Sequence, residues 1–252
     1  MNFLLFRLYA PLVSWGDVAV GEFRPTHGYP SRSALLGLIG AALGIERSDE
    51  DGHRELDEAL AFAVAVYSEG ALLRDYHTAQ VPGAAALRKR PHRTRADELA
   101  LPRHELNTIL SRRDYRQDAL SIAGACLRAG RTAPQLEAIR AALQRPRFTT
   151  YLGRKACPPA LPYSPQIIEA DSFRAAIAAA VFPTLDELPL PATPVRVAWE
   201  DGVESGWPQS FSVPRKDALR SRRRWQFGDR IERVALIAND PLQEAEIEES
   251  SP

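Results

Sequence analysis

The order in which two hydrophobic periodicities alternate along the first 170 residues constrains the fold more than any other feature. Residues 3–9 and 61–67 alternate with a period of two, which is typical of strands. Residues 33–45 instead carry apolar side chains at helical spacing, with Ser31 or Ser33 available as the N-cap. Pro11 is expected to end the first strand. The chain therefore opens with a strand, a helix and a second strand.

The same order returns after an insertion. Residues 72–78 are expected to extend the sheet, and residues 81–117 lose periodicity and gain prolines and arginines, which predicts a protruding segment. An apolar strand follows at 119–127. Thr132 and Gln135 then predict a capping box, and a further strand is expected within 148–168. We therefore predict an α+β fold with a βαββαβ core, ferredoxin-like or of the RNA-recognition-motif type, and a thumb insertion at about residues 78–114.

The pattern weakens after residue 170. A helix is predicted at 172–182, followed by a proline-rich link and four short strand candidates. These strand candidates are residues 195–199, 210–213, 224–227 and 231–238. We expect a first domain over 1–170, a small C-terminal β appendage over 171–240, and an acidic, disordered tail over 241–252.

The formal net charge of zero conceals a strong local asymmetry. Residues 46–73 hold 8 acids and 2 bases, whereas residues 74–155 hold 17 bases and 7 acids, a local net charge of 17 − 7 = +10. Clustered guanidinium groups suit phosphate oxygens and stack on nucleobases. The clustering favours nucleic-acid binding and a merely solvated basic face about equally.

Motifs for the common enzyme classes are absent from the sequence. The chain has no GxSxG, GxxxxGK[ST] or GxGxxG, and its five histidines form no HxH, HxxxH or HExxH arrangement. Cys126 and Cys157 lie 31 positions apart without a CxxC pair, which argues against a disulfide framework and a structural zinc site. No cofactor, metal or membrane span is expected, and a cytoplasmic location is predicted.

Four basic segments are candidates for binding RNA. Residues 24–33 lead into a helix N-terminus, where either a bound phosphate or simple N-capping would satisfy the free N–H groups. Residues 145–155 alternate aromatic side chains with four bases around a glycine, a composition that suits single-stranded RNA. Residues 111–116 and 220–225 are further basic clusters, the last of which could equally be a basic edge of the appendage.

Five blocks of the sequence, in order and spacing, resemble one known family. They are residues 10–16 (APLVSWG), 24–26 (RPT), 30–40 (PSRSALLGLIG), 76–78 (YHT) and 146–158 (PRFTTYLGRKACP). They are similar to the CasD subunits of type I-E CRISPR Cascade, within the repeat-associated mysterious protein superfamily. The resemblance covers about the first 165 residues and continues more loosely through residues 220–225.

The resemblance implies a non-catalytic RNA-binding subunit that holds the 5′ handle of the CRISPR RNA. It also implies contacts with the Cascade backbone subunits and large subunit, and a thumb that kinks the guide near the target DNA. Arg113 is the first candidate for the thumb contact, with Arg112 and Tyr115 as neighbours. The expected handle residues are Trp15, Arg24, Thr26, Ser31, Arg32, His77, Arg147, Tyr151, Gly153, Arg154 and Lys155.

Two rival functions remain open at this point. A metal-independent endoribonuclease that cuts the CRISPR repeat could use His77, Tyr76 and Lys155 as acid–base groups. A general double-stranded DNA binder would instead show similar affinity for random duplex and for handle RNA.

Overall fold

The computed structural model describes residues 1–88, 94–131, 135–183 and 191–237. The strands are β1 (Asn2–Val13), β2 (Phe23–Arg24), β3 (Leu60–Ser68), β4 (Ala71–Pro82), β5 (Leu106–Leu127), β6 (Gln166–Glu169), β7 (Arg196–Trp199), β8 (Phe211–Ser221) and β9 (Gln226–Leu236). The helices are α1 (Arg32–Leu43), α2 (Glu50–Ala59), α3 (Ala84–Leu87), α4 (Arg95–Leu99), α5 (Leu136–Gln144) and α6 (Phe173–Ala179), with a 3₁₀ turn at Arg103–Glu105. The predicted acidic tail and Thr132 lie outside the described residues.

A single mixed sheet organises the chain, with strand order β6-β1-β5-β3-β7-β9-β8. All neighbouring strands along this path are antiparallel. One face packs against α1, α2 and α5 through side chains such as Phe6, Ile39 and Ile139, and the other face packs against α6 through Phe173. Alternate residues of β1 supply both cores, because successive side chains of a strand point to opposite faces. The predicted α+β architecture is confirmed at this level.

The first strand runs through Pro11 to Val13, so the prediction that Pro11 ends it was wrong. The backbone groups of Arg7 and Tyr9 point away from β5, toward Tyr163 and Ala160. Pro11 has the same parity, so its nitrogen points to the same side. The β6 pairing ends at Leu5, and the missing N–H of Pro11 therefore costs no ladder hydrogen bond.

Strands β4 and β5 replace much of the predicted irregular insertion. Their pairing runs from Ala71 opposite Gln117 to Pro82 opposite Leu106, and β2 adds a short parallel partner to β5. We call β4, the paired half of β5 and the described residues between them the arm. Most of its side chains are exposed on both faces. Without a buried face there is no alternation of apolar and polar residues, which is why the sequence indicated only residues 72–78 of β4 and 119–127 of β5 as strand.

Two other differences concern segments outside the predicted core. Helix α2 was not predicted, because only His53, Leu56 and Ala59 are buried among its acidic residues. The C-terminal strands extend the main sheet through β7, which pairs with β3, instead of standing apart from it. The predicted candidates 224–227 and 231–238 correspond to one longer strand, β9, whose pairing with β8 is irregular.

Candidate nucleic-acid interface

A groove of about 980 Å³ opens between the loops around α1 and the β8–β9 hairpin. We call it the groove. It is lined by the loop after β1, the segment before α1, one side of α1, the loop at 150–154 and the hairpin. Its lining includes Trp15, Asp17, Arg24, His27, Ser31, Tyr151, Gly153, Arg154, Arg215, Lys216, Asp217, Arg222, Trp225 and Phe227. Five bases and two acids therefore face this space.

Gly153 closes the floor of the groove. Its backbone has φ +90°, and an added Cβ would overlap the carbonyl oxygen of Ser14. The backbone N–H of Ser14 donates to the carbonyl of Leu152, and its hydroxyl donates to the carbonyl of Asp114 at 2.9 Å. Only glycine combines this backbone conformation with so close an approach. Gly153 thus joins the loop after β1 to the 150–154 loop.

Arg154 is held in place by contacts other than an ion pair with any carboxylate of the described residues. Its guanidinium donates to the carbonyls of Asp114 (3.2 Å) and Arg24 (3.0 Å) and stacks on Tyr115 at 4.7 Å from the ring centroid. Tyr115 is buried and supports Arg154 from below, which corrects its prediction as an RNA-contacting neighbour of Arg113. A positioned arginine whose charge is not neutralised by an acid is well suited to a phosphate.

The Arg32 side chain faces the protein interior, which corrects its prediction as a handle-binding residue. Its side chain is 5% exposed and pairs with Glu200 at 2.9 Å and with Asp57. Its backbone N–H donates to Asp217 at 2.8 Å, and the Ser31 hydroxyl caps α1 by accepting from Ala34. Residues 24–33 were expected either to bind a phosphate or to cap the helix. The structure shows N-capping by Ser31, with the carboxylate of Asp217 at the start of α1.

Trp15 and Thr26 also have structural contacts. The Trp15 indole is buried in the core, and its backbone N–H donates to the Thr26 hydroxyl at 3.0 Å. Ser31 is buried as well, although it still lines the groove. Trp15 and Ser31 thus shape the wall of the groove and leave little surface for a ligand, and Thr26 supports the loop behind them.

A buried network of charged groups attaches the hairpin to this wall. Arg230 pairs with Asp217 (2.6 Å) and with Glu232 (2.5 Å), and the Tyr29 hydroxyl donates to Glu232 at 2.7 Å. Arg215 contacts the Nε2 atom of His27. Burial, and then the charge of Arg215, lowers the pKa of His27 to about 4, so this imidazole is neutral near pH 7.

The groove and the arm meet at Arg24. Arg24 lines the groove, and in the short parallel pairing of β2 with β5 it stands opposite Arg113. Arg112 and Arg113 are both exposed, and among the described residues no carboxylate forms an ion pair with either. The cationic surface of the groove therefore continues onto the base of the arm.

The remaining predicted residues are more dispersed. Tyr151 lines the groove and is 38% exposed, and Lys155, which follows the groove-lining Arg154, is exposed. Arg147 packs against Gly44 at the end of α1. His77 lies on the arm, with its ring nitrogen 2.5 Å from a carboxylate oxygen of Asp75.

Several groove residues were not among the predicted site residues. Arg215 and Lys216 gave no signal, because they lie in a strand without a motif. Arg222 and Trp225 belong to the basic cluster at 220–225, whose composition was noticed but whose place beside α1 was not predictable. Arg222 crosses α1 at Gly37, where an added Cβ would overlap its guanidinium. The glycine in the middle of α1 thus accommodates an arginine.

Neither a metal site nor a membrane span was found in the described part of the chain. Residues 1–88, 94–131, 135–183 and 191–237 contain no group of three or more potential metal ligands. Within the same ranges no helix has the length and apolar character needed to cross a membrane. Cys126 and Cys157 are both free and buried, and burial raises the pKa of Cys126 to about 11.

Comparisons with known proteins agree with this architecture. A family model described as "CRISPR-associated protein (Cas_Cas5)" matches residues 3–231. The "CRISPR system Cascade subunit CasD" of Escherichia coli (strain K12) is 38% identical over 167 residues, covering 62% of this chain and 67% of that protein. A solved chain titled "CRISPR RNA-guided surveillance complex" superposes with a TM-score of 0.61 at 28% identity, covering 93% of this chain and 89% of the other.

A second solved chain, titled "Crystal structure of Cas protein", superposes with a TM-score of 0.56 at 25% identity and covers 93% of this chain and 94% of the other. Fold, groove and comparisons together define the class as a CRISPR-associated protein. Because the family model spans most of its length, the chain belongs to the Cas5 family. The resemblance inferred from the five sequence blocks is confirmed.

Proposed function

We propose that this chain is a non-catalytic RNA-binding subunit of a type I-E CRISPR surveillance complex, and that the groove holds the 5′ handle of the CRISPR RNA. The observation that carries the proposal is the continuity of cationic surface from Arg154 and Arg24 in the groove to Arg113 on the arm. The family membership and the similarity to CasD support it. Arginines along one path that form no ion pair within the described part of the chain suit the spaced phosphates of a single strand.

In this proposal the arm is the thumb. It projects from the sheet and carries exposed arginines where it leaves the sheet. In this role it would cap the guide where target DNA pairs with it. The backbone and large subunits of Cascade would contact the same molecule on surfaces outside the groove. The strands β6-β1-β5-β3 would be the ferredoxin-like core, with residues 1–170 as the RNA-binding domain and 171–240 as its C-terminal extension.

The geometry of the arm disfavours the endoribonuclease. Tyr76 and His77 are consecutive residues of β4, so their side chains point to opposite faces of the arm. The His77 ring is directed to Asp75, and Tyr76 is 56% exposed on the other face. A joint acid–base role for these two side chains on one phosphate would require them to share a face.

The test is a binding and cleavage assay with labelled repeat RNA in EDTA. We expect the full chain to bind handle RNA more tightly than random duplex DNA at fixed salt, without cutting it. Lys155→Ala should lower the salt dependence of binding by about 0.7 in the log–log slope, the value for one phosphate of a single strand. Arg54→Ala removes an exposed arginine that pairs with Asp51 on α2, and serves as the charge-matched control.

Three results would count against the proposal. Site-specific cleavage that is lost in His77→Ala would establish the nuclease instead. Equal affinity for duplex DNA and handle RNA would indicate a general DNA binder. If the salt slope is unchanged in Lys155→Ala, or falls equally in Arg54→Ala, Lys155 does not contact a phosphate as predicted.

A further inference from the structure

Trp225 occupies an unfavourable position for a structural side chain. It lies in the turn between β8 and β9, where its φ of +57° is in the left-handed region. Bulky L-residues rarely adopt that conformation, because the Cβ approaches the following carbonyl oxygen. The side chain is also 56% exposed, so it recovers little from burial. Backbone strain and an exposed aromatic surface together suggest that the ring has a ligand.

The neighbours of Trp225 hold its ring in place. The guanidinium carbons of Arg222 and Arg47 lie 4.8 Å and 5.1 Å from the ring centroid, and Phe227 approaches edge-on at 5.6 Å. Arg47 also donates to the carbonyls of Arg222 and Arg223, at 3.3 Å each. Arg222 is anchored in turn by donating to the carbonyl of Ser33 at 3.1 Å. The indole is therefore fixed before any ligand arrives.

Trp225 lies on the wall of the groove. Trp225, Phe227 and Arg222 line the same space as Tyr151 and Arg154, on the hairpin side. Arg223 and Arg224, next to Trp225 in the turn, are exposed. A strand of RNA leaving Arg154 along the groove would thus meet an exposed aromatic ring flanked by cations.

We propose that Trp225 is a stacking platform for one unpaired nucleobase of the RNA, with Arg223 and Arg224 contacting the adjoining phosphates. This inference rests on the proposed function and adds a residue of the hairpin to the binding site. An unpaired base has a free face for the indole, whereas the bases of a duplex are already stacked. The position of Trp225 at the groove favours single-stranded RNA over duplex as the occupant.

The test compares three variants of the full chain on the synthetic 5′ handle RNA. Trp225→Gly removes the ring, and glycine adopts the left-handed backbone of this turn without strain. Trp225→Phe keeps an aromatic face. Phe211→Ala is the matched control, because Phe211 is 40% exposed on the same strand pair but does not line the groove. We expect Trp225→Gly to bind about tenfold more weakly and the other two to stay near wild type.

A scan of handle RNAs, each with one abasic position, then identifies the base. At one position the abasic RNA should bind wild type and Trp225→Gly equally, because the interaction is already missing. The inference is overturned if Trp225→Gly binds handle RNA as tightly as wild type, or if Phe211→Ala loses as much affinity as Trp225→Gly. It is also overturned if no abasic position makes the affinities of wild type and Trp225→Gly equal. In those cases wild-type binding and the Lys155→Ala effect still support the proposed function. Failure of the wild-type chain to bind handle RNA would end both.

Discussion

The wall of the groove and the base of the arm both carry arginines in basic sequence segments, yet they use them in opposite ways. Arg32 in the wall is 5% exposed and surrounded by carboxylates and carbonyls. Arg112 and Arg113 on the arm are exposed, and no described carboxylate forms an ion pair with them. The difference shows that clustered arginines do not form one functional class. The buried ones build the site, and the exposed ones are available to a ligand.

The sharpest way to test this difference is to remove the buried arginine. Arg32→Met should lower the free energy of unfolding by about 3 kcal/mol, the low end for breaking a buried ion pair, because Asp57 loses Arg32 while Glu200 keeps Arg128. Denaturant unfolding at pH 7 measures the loss. The double variant Arg32→Met with Glu200→Gln should cost less than the sum of the single variants, since the two residues interact. A change below 1 kcal/mol in Arg32→Met would mean that this ion pair does not stabilise the wall.

A second test addresses the floor of the groove. Gly153→Ala should destabilise the chain by about 2–4 kcal/mol, because the new Cβ adds a clash with the Ser14 carbonyl to the left-handed strain. Gly130→Ala is the matched control. Its φ is +75°, but nothing lies within 4 Å of an added Cβ, so we expect only the strain of about 1 kcal/mol. Equal losses in the two variants would show that the contact with Ser14 contributes nothing.

The order of strands in the first 170 residues could be predicted, because those segments have one buried face or two. The blocks at 10–16, 24–26 and 146–158 each contribute lining residues to the groove. The burial of Arg32 could not be predicted, since its partner Glu200 is 168 residues away. The contribution of the β8–β9 hairpin to the groove could not be predicted either, because the hairpin is similarly distant from α1 in the sequence. Asp217 and Glu232 both pair with Arg230, and only the completed sheet brings Asp217 to the start of α1 and Glu232 to Tyr29.

The smallest effect belongs to the arm, and it should appear in binding alone. Arg113→Ala should leave the free energy of unfolding within about 0.5 kcal/mol of wild type, because an exposed side chain that pairs with no described acid contributes little. The same change should weaken handle-RNA binding by about 1 kcal/mol and reduce the salt slope by about 0.7, as expected for one lost phosphate contact. Filter binding across a salt series measures both quantities, with Arg54→Ala as the exposed but distant control. Loss of stability in Arg113→Ala would show that this arginine is structural like Arg32, and binding unchanged at every salt concentration would show that it contacts no phosphate; either result would end the contrast between the two regions.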